Sequence, residues 1–201
     1  VGIDNGQFDA ALGESRWKIE GGVALENEMA VLAEAGSFNP ELQQSFIVPR
    51  DAQELRFTLL AADLYQSSLS PGDFFEVALL DSASGASLVN PVGELSLTDA
   101  AINIQADGTI YFGEHVQSAG LTDSGDSIDL SQPREFRLDV SALPPGAEAT
   151  LYFNLIGFGA NDSRVVIDNV EFVGGATAPS LSVSLPSEFD TGIVGDRLTQ
   201  L

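Results

Sequence analysis

Gly, Pro, Asp and Ser clusters interrupt this chain at short intervals, and they limit what it can fold into. The clusters include SPGD (70–73), SASG (82–85), ADG (106–108), LPPGAE (143–148) and GAND (159–162). Between them lie short runs rich in Val, Ile, Phe and Leu: residues 29–35, 43–49, 54–64, 74–82, 102–105, 109–116, 134–141, 149–159 and 164–172. Such runs, bounded by turn residues, read as strands. No stretch carries the periodicity of an amphipathic helix of three turns. The expected fold is all-β, an antiparallel sandwich or jelly roll.

The last run raises an electrostatic problem. In VVIDNVEF (165–172), strand alternation puts Val166, Asp168, Val170 and Phe172 on one face. Three of these are apolar, so that face is expected to look inward and to carry a carboxylate with it. A buried carboxylate must be paired, protonated or metal-bound. Cations are scarce: 8 Lys and Arg stand against 30 Asp and Glu, with one His, no Cys and a net charge of −22. A metal therefore competes with backbone N–H groups and with Arg16 or Arg164 as the partner of Asp168. The same acid excess argues against a nucleic-acid partner, whose phosphates require Lys and Arg. No apolar run is long enough for a membrane-spanning helix, so no membrane insertion is expected.

Composition shifts after Phe172. Residues 1–175 form the expected module, and 176–187 read as an extended linker, small and Pro-containing. Residues 188–201 (EFDTGIVGDRLTQL) resemble the first strand of the immunoglobulin-like repeats of large bacterial surface proteins. That resemblance implies a chain cut from a longer polypeptide, with neighbouring Ig-like repeats as partners. Asp190 and Asp196 flank TGIVG there and are candidate ligands of an interdomain calcium.

Three stretches taken together point to a second family. NGQFD (5–9) is followed by Trp17, and LYFNLIGFG (151–159) by IDNVEF (167–172). In order and spacing they resemble the jelly-roll carbohydrate-binding modules of the family 4, 9 and 22 type, within the galactose-binding-domain-like group. The resemblance implies that the two chain ends meet and hold a structural calcium. Carried over, the ligands would be Asp168, a backbone oxygen of Gln7, either Asn27 or Glu28, and Asp9 as a further carboxylate. Phe8 and Trp17 would then be core residues.

The resemblance also implies a glycan groove across one sheet. Strand alternation sets Tyr152 and Asn154 opposite Leu151 and Phe153, Arg56 opposite Leu55 and Phe57, Glu76 opposite Phe75 and Val77, and Tyr111 and His115 opposite Ile110 and Phe112. If these minority faces form one surface, it presents Arg56, Glu76, Tyr111, His115, Tyr152 and Asn154, a mixture of rings, amides and charges suited to sugars. Asn154 also matches the amide that the family carries on its groove strand. Where related modules place a further aromatic residue after the Trp, this chain has Glu20.

Enzymatic signals are weak. His115 is the one base that a triad could use, no Ser sits in a G-x-S-x-G elbow, and no two acids stand out as a glycosidase pair. The expectation is a non-catalytic, calcium-stabilised carbohydrate-binding or adhesion module of a secreted or bacterial cell-surface protein. A ligand-free structural spacer and an accessory module of an extracellular glycoside hydrolase remain the alternatives.

Overall fold

The computed structural model describes residues 1–34, 39–66, 71–158 and 163–174. The expected linker (176–187) and the expected Ig-like segment (188–201), with Asp190 and Asp196, lie outside the described residues. The strands are β1 (Lys18–Glu20), β2 (Val23–Glu26), β3 (Met29–Ala33), β4 (Glu41–Ile47), β5 (Glu54–Asp63) and β6 (Phe74–Asp81), followed by β7 (Ile102–Gln105), β8 (Ile110–Phe112), β9 (Val116–Gln117), β10 (Arg134–Asp139), β11 (Glu148–Ile156) and β12 (Arg164–Val173). They form two six-stranded sheets, ordered β1-β4-β11-β6-β7-β8 and β2-β3-β12-β5-β10-β9. All described pairings are antiparallel, so the all-β sandwich expected from the sequence is what forms.

Alternation builds the core. Leu55, Phe57 and Leu59 of β5 face Phe75, Val77 and Leu79 of β6 and Leu151, Phe153 and Leu155 of β11, all fully buried. Phe57 stacks on Phe136 at 5.3 Å and meets Phe153 edge-on at 5.1 Å, tying one sheet to the other. Truncating Phe153 to Ala would cost about 3–5 kcal/mol.

Neither β1 nor β2 is evident in the sequence. The residues of β1 are all exposed, so it lacks the apolar alternation that marks a strand; its Lys18 and Glu20 sit on a sheet edge, where charges discourage further pairing. β2 and β3 form a hairpin closed by Asn27 and Glu28, whose φ values of 51° and 61° correspond to a type I′ turn. The run expected at 109–116 divides into β8 and β9, which belong to different sheets. The chain crosses between them at Gly113, where a Cβ would stand 1.9 Å from the Asn90 carbonyl oxygen.

The two ends of the domain meet, as the pairing of NGQFD with the last strand led one to expect. Val170 N–H donates to Gly6 O at 2.8 Å, and a Cβ on Gly6 would lie 1.8 Å from the Val170 oxygen. Gln44 clamps the same segment: its amide accepts from Asp4 N–H at 2.7 Å and donates to Asp4 O at 2.9 Å. Phe8 and Trp17 are core residues, with Trp17 Nε1 donating to Asn5 O at 3.1 Å.

Candidate functional site

Asp168 does not share the core face. Val165, Ile167 and Val170 belong to the core, whereas Asp168 alternates with them onto the outer side of the sheet. The cause is a bulge: Asp168 pairs with Thr58 and Glu171 with Arg56, so β12 carries one residue more than β5 there. Asn169 absorbs it with φ 56° and returns Val170 to the core. Alternation read straight through the bulge therefore assigns the first half of the strand to the wrong side.

Neither arginine neutralises Asp168. Arg16 pairs with Asp4 at 3.6 Å, and Arg164 with Glu26 at 2.8 Å. Asp168 accepts instead from the Asn169 backbone at 2.7 Å and from its Nδ2 at 3.2 Å. Half-burial, and then the charge of Glu28, push its carboxyl above the usual range despite the Asn169 bond. The other expected calcium ligands, Gln7, Asp9, Asn27 and Glu28, are all exposed. No three Asp, Glu or His side chains are gathered tightly enough to hold a metal among the described residues. Glu28 is close enough for its charge to act on Asp168, so these two carboxylates, with backbone oxygens, would be the donors available to a calcium here.

The expected ligand face divides. Glu76, Tyr111, Tyr152 and Asn154 lie together on the outer side of the β1-β4-β11-β6-β7-β8 sheet. Register sets a continuous row across it: Glu20 opposite Glu41, Glu41 opposite Asn154, Asn154 opposite Glu76, Glu76 opposite Asn103 and Asn103 opposite Tyr111. Tyr152 stands one step along β11, between Gln43 and Ala78. Arg56 and His115 are elsewhere. Arg56 is on the outer side of the opposite sheet, held by Glu171 at 2.6 Å and near Glu135 at 3.9 Å. His115 is in the turn between β8 and β9, its carbonyl accepting from Asp139 of β10. Alternation predicts which side of a strand a residue occupies but not which sheet the strand joins, which is why Arg56 departs; His115 departs because the strand read through it is broken by a turn.

The face contains a depression of about 290 Å³ lined by Glu41, Glu76, Ala78, Leu80, Asp99, Tyr152 and Asn154. A neighbouring hollow of about 430 Å³ shares Glu76 and Asp99 with it and extends over Phe74, Thr98, Asn103 and Gln105. Glu76 is fixed by Asn103 Nδ2 at 2.8 Å and Thr98 Oγ1 at 3.2 Å. Asn154 Oδ1 is shielded from solvent and has no hydrogen-bond partner among the described residues. Burial, then repulsion from Glu20, raises the Glu41 carboxyl, although Gln43 donates to it. Burial, then the charges of Glu41 and Asp99, raise the Tyr152 hydroxyl.

Glu41, Thr98, Asp99 and Asn103 were not singled out from the sequence. Glu41 and Asn103 are visible in hindsight as polar alternates within apolar strands, whereas Thr98 and Asp99 sit on a loop with no periodicity. A larger hollow, about 460 Å³, lies beside β9 and β10 with Arg134 and Arg137 in its wall. Both guanidinium groups there are engaged: Arg134 donates to Ala119 O at 2.6 Å, and Arg137 to Glu135 at 2.7 Å.

No known protein family matches the chain, and no curated protein matches it. Among solved structures it is similar to the crystal structure of a mutant Emp46p carbohydrate recognition domain. The TM-score is 0.50 at 15% identity, covering 88% of this chain and 97% of that one. At that identity the likeness supports the β-sandwich fold.

Proposed function

We propose that the chain is a non-catalytic carbohydrate-binding module whose ligand face is the outer side of the β1-β4-β11-β6-β7-β8 sheet. The observation that carries this reading is the row Glu41–Asn154–Glu76–Asn103 with Tyr152 beside it, in which the Asn154 carbonyl oxygen is dry and unpartnered. A buried acceptor without a donor costs about 1–3 kcal/mol, which a ligand hydroxyl would recover. The Tyr152 ring offers a flat surface for sugar C–H groups. The structural likeness is to a protein described as a carbohydrate recognition domain, which agrees with this reading.

Charge narrows the ligand. Glu41, Glu76 and Asp99 line the depression, so uronate or sulfated chains would be repelled, and a neutral or amino-bearing glycan fits. Calcium at the Asp168–Glu28 junction would tie β12 to the β2–β3 turn by neutralising two carboxylates that belong to none of the ion pairs among the described residues. Glu28 retains a left-handed backbone that favours glycine, which is understandable if its carboxylate is needed there. An acidic, cysteine-free module of this kind suits a secreted or bacterial cell-surface protein, with adhesion as its role and Ig-like repeats as its neighbours.

A glycan array probed with the wild type, Tyr152→Ala and Asn154→Ala tests the reading. A neutral glycan should be retained by the wild type and lost by both variants, with thermal stability nearly unchanged. Retention by both variants would move the ligand face elsewhere. In parallel, chelation should lower the melting temperature of the wild type more than that of Asp168→Ala.

A further inference from the structure

At the other end of β12 lies a second pair of acids, which the ligand face does not use. Glu34 follows β3, Asp73 precedes β6 and Ser163 precedes β12, and the first two are completely buried with Ser163 1% exposed. Asp73 accepts from Phe158 N–H at 2.8 Å and from Ser163 Oγ at 2.5 Å. Glu34 Oε2 accepts from Ser163 N–H at 3.3 Å, and the two carboxyl groups are in hydrogen-bonding contact with each other. Tyr65 N–H donates to Ser163 Oγ at 2.8 Å. Glu34 Oε1 has no partner at all among the described residues. Neither acid belongs to any of the ion pairs found among those residues.

Two carboxylates in contact and out of water are costly. Each buried, unpaired ion carries a penalty of several kcal/mol. One shared proton would remove one charge, leaving the other held by hydrogen bonds alone and Glu34 Oε1 still without a partner among the described residues. We propose that Glu34, Asp73 and Ser163 form a buried calcium site. A divalent ion cancels both charges and gives the orphaned oxygen a partner. The hydroxyl of Ser163 donates to Asp73 and accepts from Tyr65, which leaves one lone pair for a metal.

The donors are all hard oxygens, which disfavours zinc and copper. Magnesium usually keeps several waters and demands near-octahedral geometry, whereas calcium accepts carboxylates, hydroxyls and backbone carbonyls in irregular geometry. A sodium or potassium ion would leave a net negative charge in the interior. The ion would join β3 and β12 of one sheet to β6 of the other, clasping the sandwich at one end. Glu76 of the ligand face is three residues along β6 from Asp73, so the clasp would also steady that face. Ser163 and Asp168 are five residues apart on a strand, about 16 Å, so this site is separate from the Asp168–Glu28 junction.

The test is calcium titration of the chelator-stripped chain by calorimetry, paired with thermal melts, for the wild type, Glu34→Gln, Asp73→Asn and Asp168→Asn. Calcium should raise the wild-type melting temperature, and magnesium at equal concentration should not. Glu34→Gln and Asp73→Asn should each lose one equivalent of bound calcium, or bind it at least tenfold more weakly. Asp168→Asn should keep that equivalent. Glu34→Gln is isosteric and removes a repulsion, so it should fold and melt higher than the stripped wild type. Calcium binding unchanged in Glu34→Gln and Asp73→Asn, or no calcium binding by the wild type, would overturn the proposal. Loss of calcium in Asp168→Asn alone would sink this site while leaving the Asp168–Glu28 junction standing.

Discussion

The outer faces of the two sheets solve the same shortage of cations in opposite ways. On the β2-β3-β12-β5-β10-β9 side, the few arginines are spent on acids: Arg56 on Glu171, Arg137 on Glu135 and Arg164 on Glu26. On the β1-β4-β11-β6-β7-β8 side, Glu20, Glu41, Glu76 and Asp99 have amides and hydroxyls as neighbours, and none of them is in an ion pair among the described residues. A face whose polar groups satisfy one another has little left to offer a ligand. A face with a dry, unpartnered amide oxygen between two carboxylates does. In an acidic chain, the place where cations are withheld is therefore as informative as the place where they are used.

The sharpest way to break this contrast is to make the second face resemble the first. Asn154→Arg would place a guanidinium between Glu41 and Glu76, its direct neighbours across β4 and β6. Glycan binding should fall by more than tenfold. Stability should rise by about 1 kcal/mol, the upper range for such pairs, which for a chain of this size is about 2–4 °C in melting temperature. Binding that survives in Asn154→Arg would separate the ligand from this row.

On the first face Asp168 and Glu28, which interact through their charges, belong to none of the ion pairs among the described residues. Glu28 occupies the second position of a type I′ turn at φ 61°, where a non-glycine residue costs about 1–2 kcal/mol. Glu28→Gly should therefore raise the melting temperature of the metal-free chain and reduce the further rise that calcium brings. A variant that is stabilised and keeps the full calcium response would show that the Glu28 carboxylate has no part in metal binding.

What could be read from the sequence, and what could not, follows the same division. Alternation identified the inward residues of β5, β6 and β11 because burial on one face imposes a period of two. It failed at Asp168, where one extra residue reverses the faces, at Arg56, where the side of the strand was right but the sheet was not, and at His115, which lies in a turn between two strands. Glu34 and Asp73 passed unnoticed for another reason. Glu34 lies at the end of the 29–35 run and Asp73 in the SPGD cluster, and only tertiary structure shows that they touch.

Smaller effects test the control face. Arg56→Ala should cost about 0.5–1 kcal/mol at low salt, less at high salt because the pair with Glu171 is partly exposed, and should leave glycan binding unchanged. A binding defect in Arg56→Ala would mean that both sheets contribute to the ligand site, and the contrast between them would fail.

The smallest expected effect concerns Glu41. It stands directly across from Glu20 in the β1–β4 register, a like-charge pair on adjacent strands. Burial first, and that repulsion second, hold its carboxyl above the ordinary glutamate range in the folded chain. A folded-state value above the unfolded one means that the native state binds this proton more tightly. The resulting stability is fully present below the ordinary glutamate range and is lost as pH rises through the raised value. Glu41→Gln removes that dependence. At neutral pH the variant should be more stable than the wild type by about 0.5 kcal/mol, a modest figure because Glu20 is exposed and water screens the pair. Well below the ordinary glutamate range, where this carboxyl is protonated in both the folded and unfolded chain, the two should melt together. Parallel melts at the two pH values decide the matter: a difference that persists in acid would trace the effect to packing of the side chain rather than to its charge.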